Sequence, residues 1–485
     1  MGIVRLALAL LVVAEHTAFY LLGPNGFLGH AAVQVFFLIS GFYMALVLDT
    51  TYRETPDRVF YVNRYLRLLP VFLLAQLAAL WPFRHQIGEN LATFVPPTLL
   101  LFLVANAAIM GLDAGMIPCL PTNDGGCVPG ALLPIQPPAW TLGVELGFYI
   151  AAPFIVRSAA RTLAFIAAGA VYLLVAAQIH FPIQGIGWVG ASQAPDLLYA
   201  GHGASFIFFG LGAFAYLRST GRIPARSPAG IALLLVLLAG LATMPTFLPG
   251  WLALAIALAL PVLFRRTGSN PRDRFIGELS YPVYLFHMPV LLALQRLLWG
   301  ASPERFPVPT FLPVAAVTIA ISVVVVLVVE RRMDRFRGSA WLRERLGAIP
   351  GRGPRIPGSL LRGGRLAMGA AAIAWVMVPL VLASVVVLRQ ASATPRTATA
   401  TVAAVTDGTW DRGVDLAGMR LLVEDDPALA QVAWRWASLR YPDGKPVWVT
   451  AAARSDGQVT LQLLGNPPDP AVTGGPATVT LHWEE

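Results

Sequence analysis

The chain of 485 residues is 56% apolar and only 13% charged, with a mean hydropathy of +0.65. A water-soluble domain averages about 45–50% apolar and about 25% charged, so composition excludes an ordinary soluble globule. The net charge is +9, carried by arginines apart from Lys445; these cations sit in short loops beside apolar runs, and no nucleic-acid motif accompanies them, so they are read as topology signals rather than as a nucleic-acid surface.

Taken in chain order, the candidate apolar segments are roughly 3–22, 31–48, 66–83, 93–112, 140–156, 162–180, 201–217, 228–247, 250–264, 282–300, 310–330 and 367–388. A run of about 20 apolar residues spans about 30 Å of hydrocarbon as a helix, and its backbone polar groups must pair within the segment. The first segment imitates a secretory leader, with Arg5 ahead of an apolar stretch. Glu15 and His16 follow directly, without a small-residue cleavage site, and it is read as a retained first span.

Positive charge then sets the topology. Arg53, Arg58, Arg64 and Arg67 place the second loop and the N-terminus in the cytosol. Arg157 and Arg161, Arg218 to Arg226, Arg265 to Arg274 and Arg331 to Arg365 claim further cytosolic loops. Three segments lie between the loops at 49–65 and 157–161, where an even number of crossings is required. Segment 93–112, bounded by Pro96–Pro97 and Asn106, is the one read as re-entrant. Ten spans then reach Glu330. Residues 331–366 form a basic cytosolic linker, 367–388 an eleventh span, and 390–485 a small periplasmic or extracellular domain of an inner-membrane, multi-pass protein.

The loop Pro118–Pro129 holds both cysteines, Cys119 and Cys127. Two are too few for a typical structural zinc site. A disulfide in an oxidising compartment and two free thiols remain the alternatives. Residues 390–485 carry 7 basic and 11 acidic residues, a balance of −4. Strand-like runs at Arg420–Glu424, Pro446–Ala453, Gln458–Leu464 and Ala477–Trp483 are separated by Pro-Asp-Gly, Ser-Asp-Gly and Gly-Asn-Pro-Pro turns. With a helix over Ala428–Leu439, they read as an α+β domain without a paired catalytic motif, suited to packing or tethering.

Ionisable residues inside spans are costly and mark functional candidates. Arg5 and His16 share one helix face, about 16 Å apart along the axis. An imidazole there serves either as general base toward a hydroxyl or as a hydrogen-bonded helix contact. Arg64 and Arg67, one turn apart at the mouth of the third span, either clamp phosphates or anchor the helix in the headgroups. Trp140 opens a span in which Glu145 and Tyr149 are one turn apart, and Glu145 is placed at a depth comparable to that of His16. Ser280, Tyr284 and His287 form one stripe near the cytosolic end of the ninth span, facing either a donor molecule or a neighbouring helix.

Five motifs in this order resemble the family-3 membrane acyltransferases. They are Arg5-x10-His16, the stretch from Gly29 to Phe42 with its Phe-Phe-Leu-Ile-Ser-Gly-Phe, Arg64-x-x-Arg67-x-x-Pro70, Trp140-Thr-Leu-x-x-Glu145-x-x-Phe-Tyr149, and Ser280-Tyr-x-x-Tyr284-Leu-x-His287. The resemblance covers about 1–330. It implies an all-α polytopic bundle of ten spans and transfer of an acyl group, acetyl above all, from cytosolic acyl-CoA to a hydroxyl of a carbohydrate or lipid-linked glycan acceptor. His16 would be the catalytic base supported by Arg5. Arg64 and Arg67 would hold the acyl-CoA, and Glu145 would be essential for activity or architecture. Trp140, Tyr149, Ser280, Tyr284 and His287 are the remaining substrate-binding candidates. No metal is expected. Glu15 is outside the family motif and either orients the imidazole or faces another span. Many longer members end in a serine esterase-like domain, whereas the tail here lacks a matching serine motif and is left with a periplasmic partner as its expected role. The rival readings are a transporter, which would need paired polar residues across two related halves, and a membrane sensor using 390–485 as its ligand-binding module.

Overall fold

The computed structural model describes residues 1–17, 27–113, 120–121, 123, 127–128, 133–180, 202–223, 248–299, 310–346 and 366–377, with the strands of the C-terminal region. The described part of residues 1–346 is mostly helical. Its long helices are α1 (Gly2–His16), α2 (Phe27–Asp49), α3 (Asp57–Ala79), α6 (Trp140–Ile155), α7 (Ala159–His180), α8 (His202–Ser219), α9 (Gly250–Thr267), α10 (Pro271–Leu294) and α11 (Phe311–Val325). Among the described residues, four helices are long and apolar enough to cross a membrane by length and composition, with Asp57–Ala79 and Arg84–Thr93 as a broken pair beside them. The protein is a multi-pass membrane protein. The segment 228–247 lies outside the described residues.

Short elements occupy the stretch between α3 and α6. Helix α4 (Arg84–Thr93) is bent by 95° from α3. Helix α5 (Pro96–Ala108) has 13 residues, about 20 Å of rise, well short of a bilayer core. It begins on Pro96 and Pro97 and ends at Ile109, whose φ of 67° is a left-handed conformation that β-branched residues rarely enter. A buried amide network holds this region together. Asn106 Nδ2 donates to the carbonyls of Phe102 and Leu133, and its Oδ1 accepts from Ile135 N and Gln76 Nε2, each at 2.9 Å. Gln136 Nε2 completes it by donating to Gln76 Oε1 at 2.9 Å. The chain entering α6 is thereby tied to α3 and α5.

Helix α10 starts earlier than its apolar segment suggests. The Asn270 side chain accepts from the amides of Arg272 and Asp273, at 2.9 and 3.4 Å, and Pro271 takes the first helical position. Asp273 in turn caps α1 from outside, accepting from Gly2 N at 2.8 Å and Ile3 N at 3.0 Å. Tyr281 of α10 donates to the carbonyl of Leu68 on α3 at 2.8 Å. The loops assigned to one side by charge do meet at one end. Arg157 pairs with Asp57 at 2.7 Å, and Arg222 pairs with Asp49.

Helices α2 and α8 touch backbone to backbone. A Cβ on Gly41 would stand 2.0 Å from the carbonyl oxygen of Phe209, and one on Gly212 would stand 1.9 Å from that of Leu38. Close approach through small residues is the membrane route to helix association, since lipid supplies no hydrophobic drive between helices. Gly212→Ala therefore forces the two helices apart. Overpacking of this kind costs about 1–3 kcal/mol. The expected result is a lower unfolding temperature for the detergent-solubilised protein. An unchanged unfolding temperature would show that the seam relaxes freely.

The helix does not end at Glu330. The chain continues as helix from α11 through a wide π-type turn at Val326–Glu330 into α12 (Arg331–Arg337), stopping at Gly338. A second short helix, α13 (Ala340–Arg345), follows. The change at 330 is one of charge, and arginine is a good helix former. Within the expected eleventh span, Leu366–Met377 is helical (α14), and Trp375 packs on Phe206 of α8 with ring centroids 4.8 Å apart.

The C-terminal region forms a closed, fully antiparallel barrel. Its strands are β3 (Pro395–Thr406), β4 (Arg420–Glu424), β5 (Ser438–Arg440), β6 (Pro446–Ser455), β7 (Gln458–Leu464) and β8 (Thr478–Glu484), in the order β3-β4-β7-β6-β5-β8. Closure leaves no free edge. The pairing of Ser455 with Gln458 closes β6 on β7 around Asp456-Gly457, the strongest short hairpin signal. All four expected strands are present. The helix expected over Ala428–Leu439 is corrected at its end, because Ser438 and Leu439 pair with β6 and β8; 425–437 lies outside the described residues. Pairing of Leu120 with Val128 and Pro121 with Cys127 joins β1 (Leu120–Pro121) and β2 (Cys127–Val128). Cys119, and with it the possible disulfide, lies outside the described residues.

Candidate active site

A cavity of about 550 Å³ opens among α1, α2, α3, α6, α9 and α10, a size that suits a small-molecule ligand. Four guanidiniums line it, those of Arg5, Arg64, Arg67 and Arg274. Among the described residues, the Arg5, Arg67 and Arg274 side chains form no hydrogen bond or ion-pair contact. Arg64 lies over the rings of Tyr52 and Phe60, at 5.9 and 5.8 Å, and its buried Nε has no hydrogen-bond partner.

Three of the carboxylates on the same wall are already engaged. Asp273 caps α1. Asp334 pairs with Arg337, whose Nη1 also donates to Asn63 O at 3.1 Å. Glu145 Oε1 accepts from Ser40 Oγ at 2.9 Å and Tyr149 Oη at 2.5 Å. The cavity thus presents cations whose hydrogen-bonding capacity is unspent, the condition for holding an anionic ligand.

Tyr284 lines the cavity. Its hydroxyl donates to the carbonyl of Pro138 and accepts from Thr141 Oγ1, both at 3.0 Å. Ser280, one turn back, lines the cavity and donates to Gly277 O at 2.7 Å. Tyr284 and Phe36 meet edge to face, 6.3 Å between centroids.

His287 lies just beyond Tyr284, and its ring faces that of His16 with centroids 5.0 Å apart. His16 Nδ1 is 2.9 Å from Val12 O, and His287 Nδ1 is 2.7 Å from Tyr284 O. A carbonyl only accepts, so each Nδ1 carries the proton, and in the neutral ring each Nε2 presents a lone pair. His287 is 0% exposed, and its Nε2 has no hydrogen-bond partner.

Two expectations are corrected here. His287 is not near the end of its helix that follows the basic loop Arg265 to Arg274. It lies sixteen residues past Pro271, about 24 Å along the helix, at the end of the bundle where α1 terminates on His16. The early start of α10 accounts for the difference. Glu145 does not share the depth of His16; it belongs to the arginine cavity, and the group that meets His16 from another span is His287.

Of the other candidates, Arg5, Arg64, Arg67 and Tyr149 line the cavity, whereas Trp140 packs edge-on against Phe37 with centroids 6.4 Å apart. Glu15 turns to α2 and pairs with His30 at 2.5 Å. Sequence reasoning did not single out Ser40, Tyr43, Arg274 or Glu278 on the cavity wall. Ser40 lies inside the Phe-Phe-Leu-Ile-Ser-Gly-Phe motif and donates to Glu145, and Arg274, which by sequence is a loop charge, is on the cavity wall. Among the described residues, no group of three or more His, Cys, Asp or Glu side chains is placed to hold a metal ion.

A family model described as an acyltransferase domain matches residues 1–327. No curated protein and no solved structure matches the chain.

Proposed function

Because this chain belongs to the family-3 membrane acyltransferases, we propose that it moves an acyl group, acetyl above all, from cytosolic acyl-CoA to a hydroxyl of a cell-surface or lipid-linked carbohydrate. The observation that carries this reading is the arginine-lined cavity whose wall includes Tyr284, one helical turn from His287 and its partner imidazole His16. Acyl-CoA brings several phosphates and a thin acyl-pantetheine arm. The phosphates suit Arg5, Arg64, Arg67 and Arg274, and the arm would pass Tyr284 toward His16.

At His16 the acceptor hydroxyl gives its proton to Nε2 as its oxygen bonds to the thioester carbon. The carbon–sulfur bond breaks, and the proton passes on to sulfur, which leaves as the coenzyme A thiol. Glu145, held by Ser40 and Tyr149, supports the guanidinium cluster. In this reading the Arg5 end faces the cytosol, the bacterial inner membrane is the location, and the barrel at 395–484 is a periplasmic or extracellular module that engages glycan or a partner.

The test uses membranes with and without the protein, incubated with radiolabelled acetyl-CoA. Label entering the lipid-linked or polysaccharide fraction only when the protein is present is the expected outcome. Absence of protein-dependent label with acetyl and longer donors alike would remove the reading.

A further inference from the structure

The paired imidazoles carry more information than a single general base requires. A base toward one hydroxyl needs one lone pair, and His16 supplies it. His287 adds a second within the same space, with rings 5.0 Å apart. It is 0% exposed and its Nε2 has no partner. An unsatisfied buried acceptor costs about 1–3 kcal/mol, and the Tyr284 carbonyl fixes the tautomer that leaves it unsatisfied. The same device is built twice, on α1 and on α10. In both, Nδ1 is tied to a backbone carbonyl of its own helix, so that Nε2, on the opposite edge, faces away from that helix. Two imidazoles with ring centroids 5.0 Å apart and tilted by 58°, each with an Nε2 not tied to its own helix, call for two donor protons.

We infer that the acceptor of this site carries two neighbouring hydroxyls. One donates to His16 Nε2 and becomes acylated; the other donates to His287 Nε2 and is left free. The substrate class is a vicinal diol, as on adjacent carbons of a pyranoside ring. This rests on the acyl-transfer reading above and narrows it. The chemistry balances as already written: only the proton of the attacking hydroxyl moves, to His16 and then to the departing sulfur, while the second hydroxyl keeps its proton and serves for orientation. A site built to hydrogen-bond a hydroxyl discriminates strongly against acceptors that lack it.

Full-length protein in membranes that hold its native acceptor pool, supplied with radiolabelled acetyl-CoA, tests this. The acylated product is recovered and its ester position determined by nuclear magnetic resonance, and His287→Leu and His287→Gln are compared with wild type. The expected ester lies on a carbon whose neighbour bears a free hydroxyl. His287→Leu is expected to lower kcat/KM for the acceptor about ten- to a hundred-fold with the donor KM unchanged. His287→Gln keeps an acceptor oxygen and recovers most of the loss. An ester on a hydroxyl without a hydroxylated neighbour overturns the inference. So does wild-type acceptor kinetics in His287→Leu. If Gln is no better than Leu while both keep the wild-type donor KM, His287 only packs, and the inference fails. A wild type that transfers no label removes the acyl-transfer reading itself, which separates the two failures.

Discussion

His16→Ala is expected to lower the rate of acyl transfer by about 10²- to 10⁴-fold, the usual contribution of a positioned general base. The amount of folded protein and the donor KM should stay near wild type. The first half follows from the tautomer: with Nδ1 tied to Val12 O at 2.9 Å, Nε2 is the atom that can take a proton. The second half follows from position, since His16 is absent from the wall of the arginine cavity. Radiolabelled acetyl transfer at matched expression, over a range of acetyl-CoA concentrations, reads both quantities. Equal transfer by wild type and mutant would remove His16 as the base and return the helix-contact role to it.

Arg67→Ala is expected to raise the acyl-CoA KM about ten- to a hundred-fold and to leave the acceptor KM unchanged. Charge-assisted hydrogen bonds are worth about 1.5–3 kcal/mol, and the Arg67 guanidinium makes none to a described residue, so its capacity is available to a ligand. Arg67→Lys keeps the charge but loses the planar fork and should fall between the two. A donor KM within about a factor of two of wild type in Arg67→Ala would return Arg67 to the role of a membrane anchor. Arg64 is the less informative choice, because it also stacks over Tyr52 and Phe60 and its loss would disturb packing as well as charge.

The reactive residues were legible because each breaks a rule of its surroundings. Glu145, His16 and His287 are polar groups in apolar runs, and the cost of burying them marks them whatever they touch. The strands at Arg420–Glu424 and Gln458–Leu464 were legible to the residue, since β-branched residues bounded by turn residues are a local signal. β3 was not, because the apolar positions of its alternating stretch, Ala398, Ala400, Val402 and Ala404, are mostly alanine, a residue depleted in strands. The amide network of Gln76, Asn106 and Gln136 was equally hidden. None of the three has a local reason to meet the others, and only the folded arrangement makes each the answer to the others' buried polar groups.

By itself, the sequence determined that the protein lives in a membrane, which acyltransferase family it belongs to, and which side chains are chemically anomalous. Membrane residence and chemical anomaly are properties of composition and of position along one helix, whereas the family rests on the resemblance of five motifs in order along the chain. The tertiary structure alone decided the partnerships. Glu145, already one turn from Tyr149 on its own helix, took Ser40 beside the free guanidiniums, Glu15 took His30, and His16 received a second imidazole in place of a carboxylate. The reason is geometric. Helical periodicity states which residues share a face, but the neighbour across from that face depends on where each helix starts and how closely two backbones approach. Those quantities are set by contacts distant in sequence, such as the Asn270 cap that starts α10 early and the glycine seam between α2 and α8.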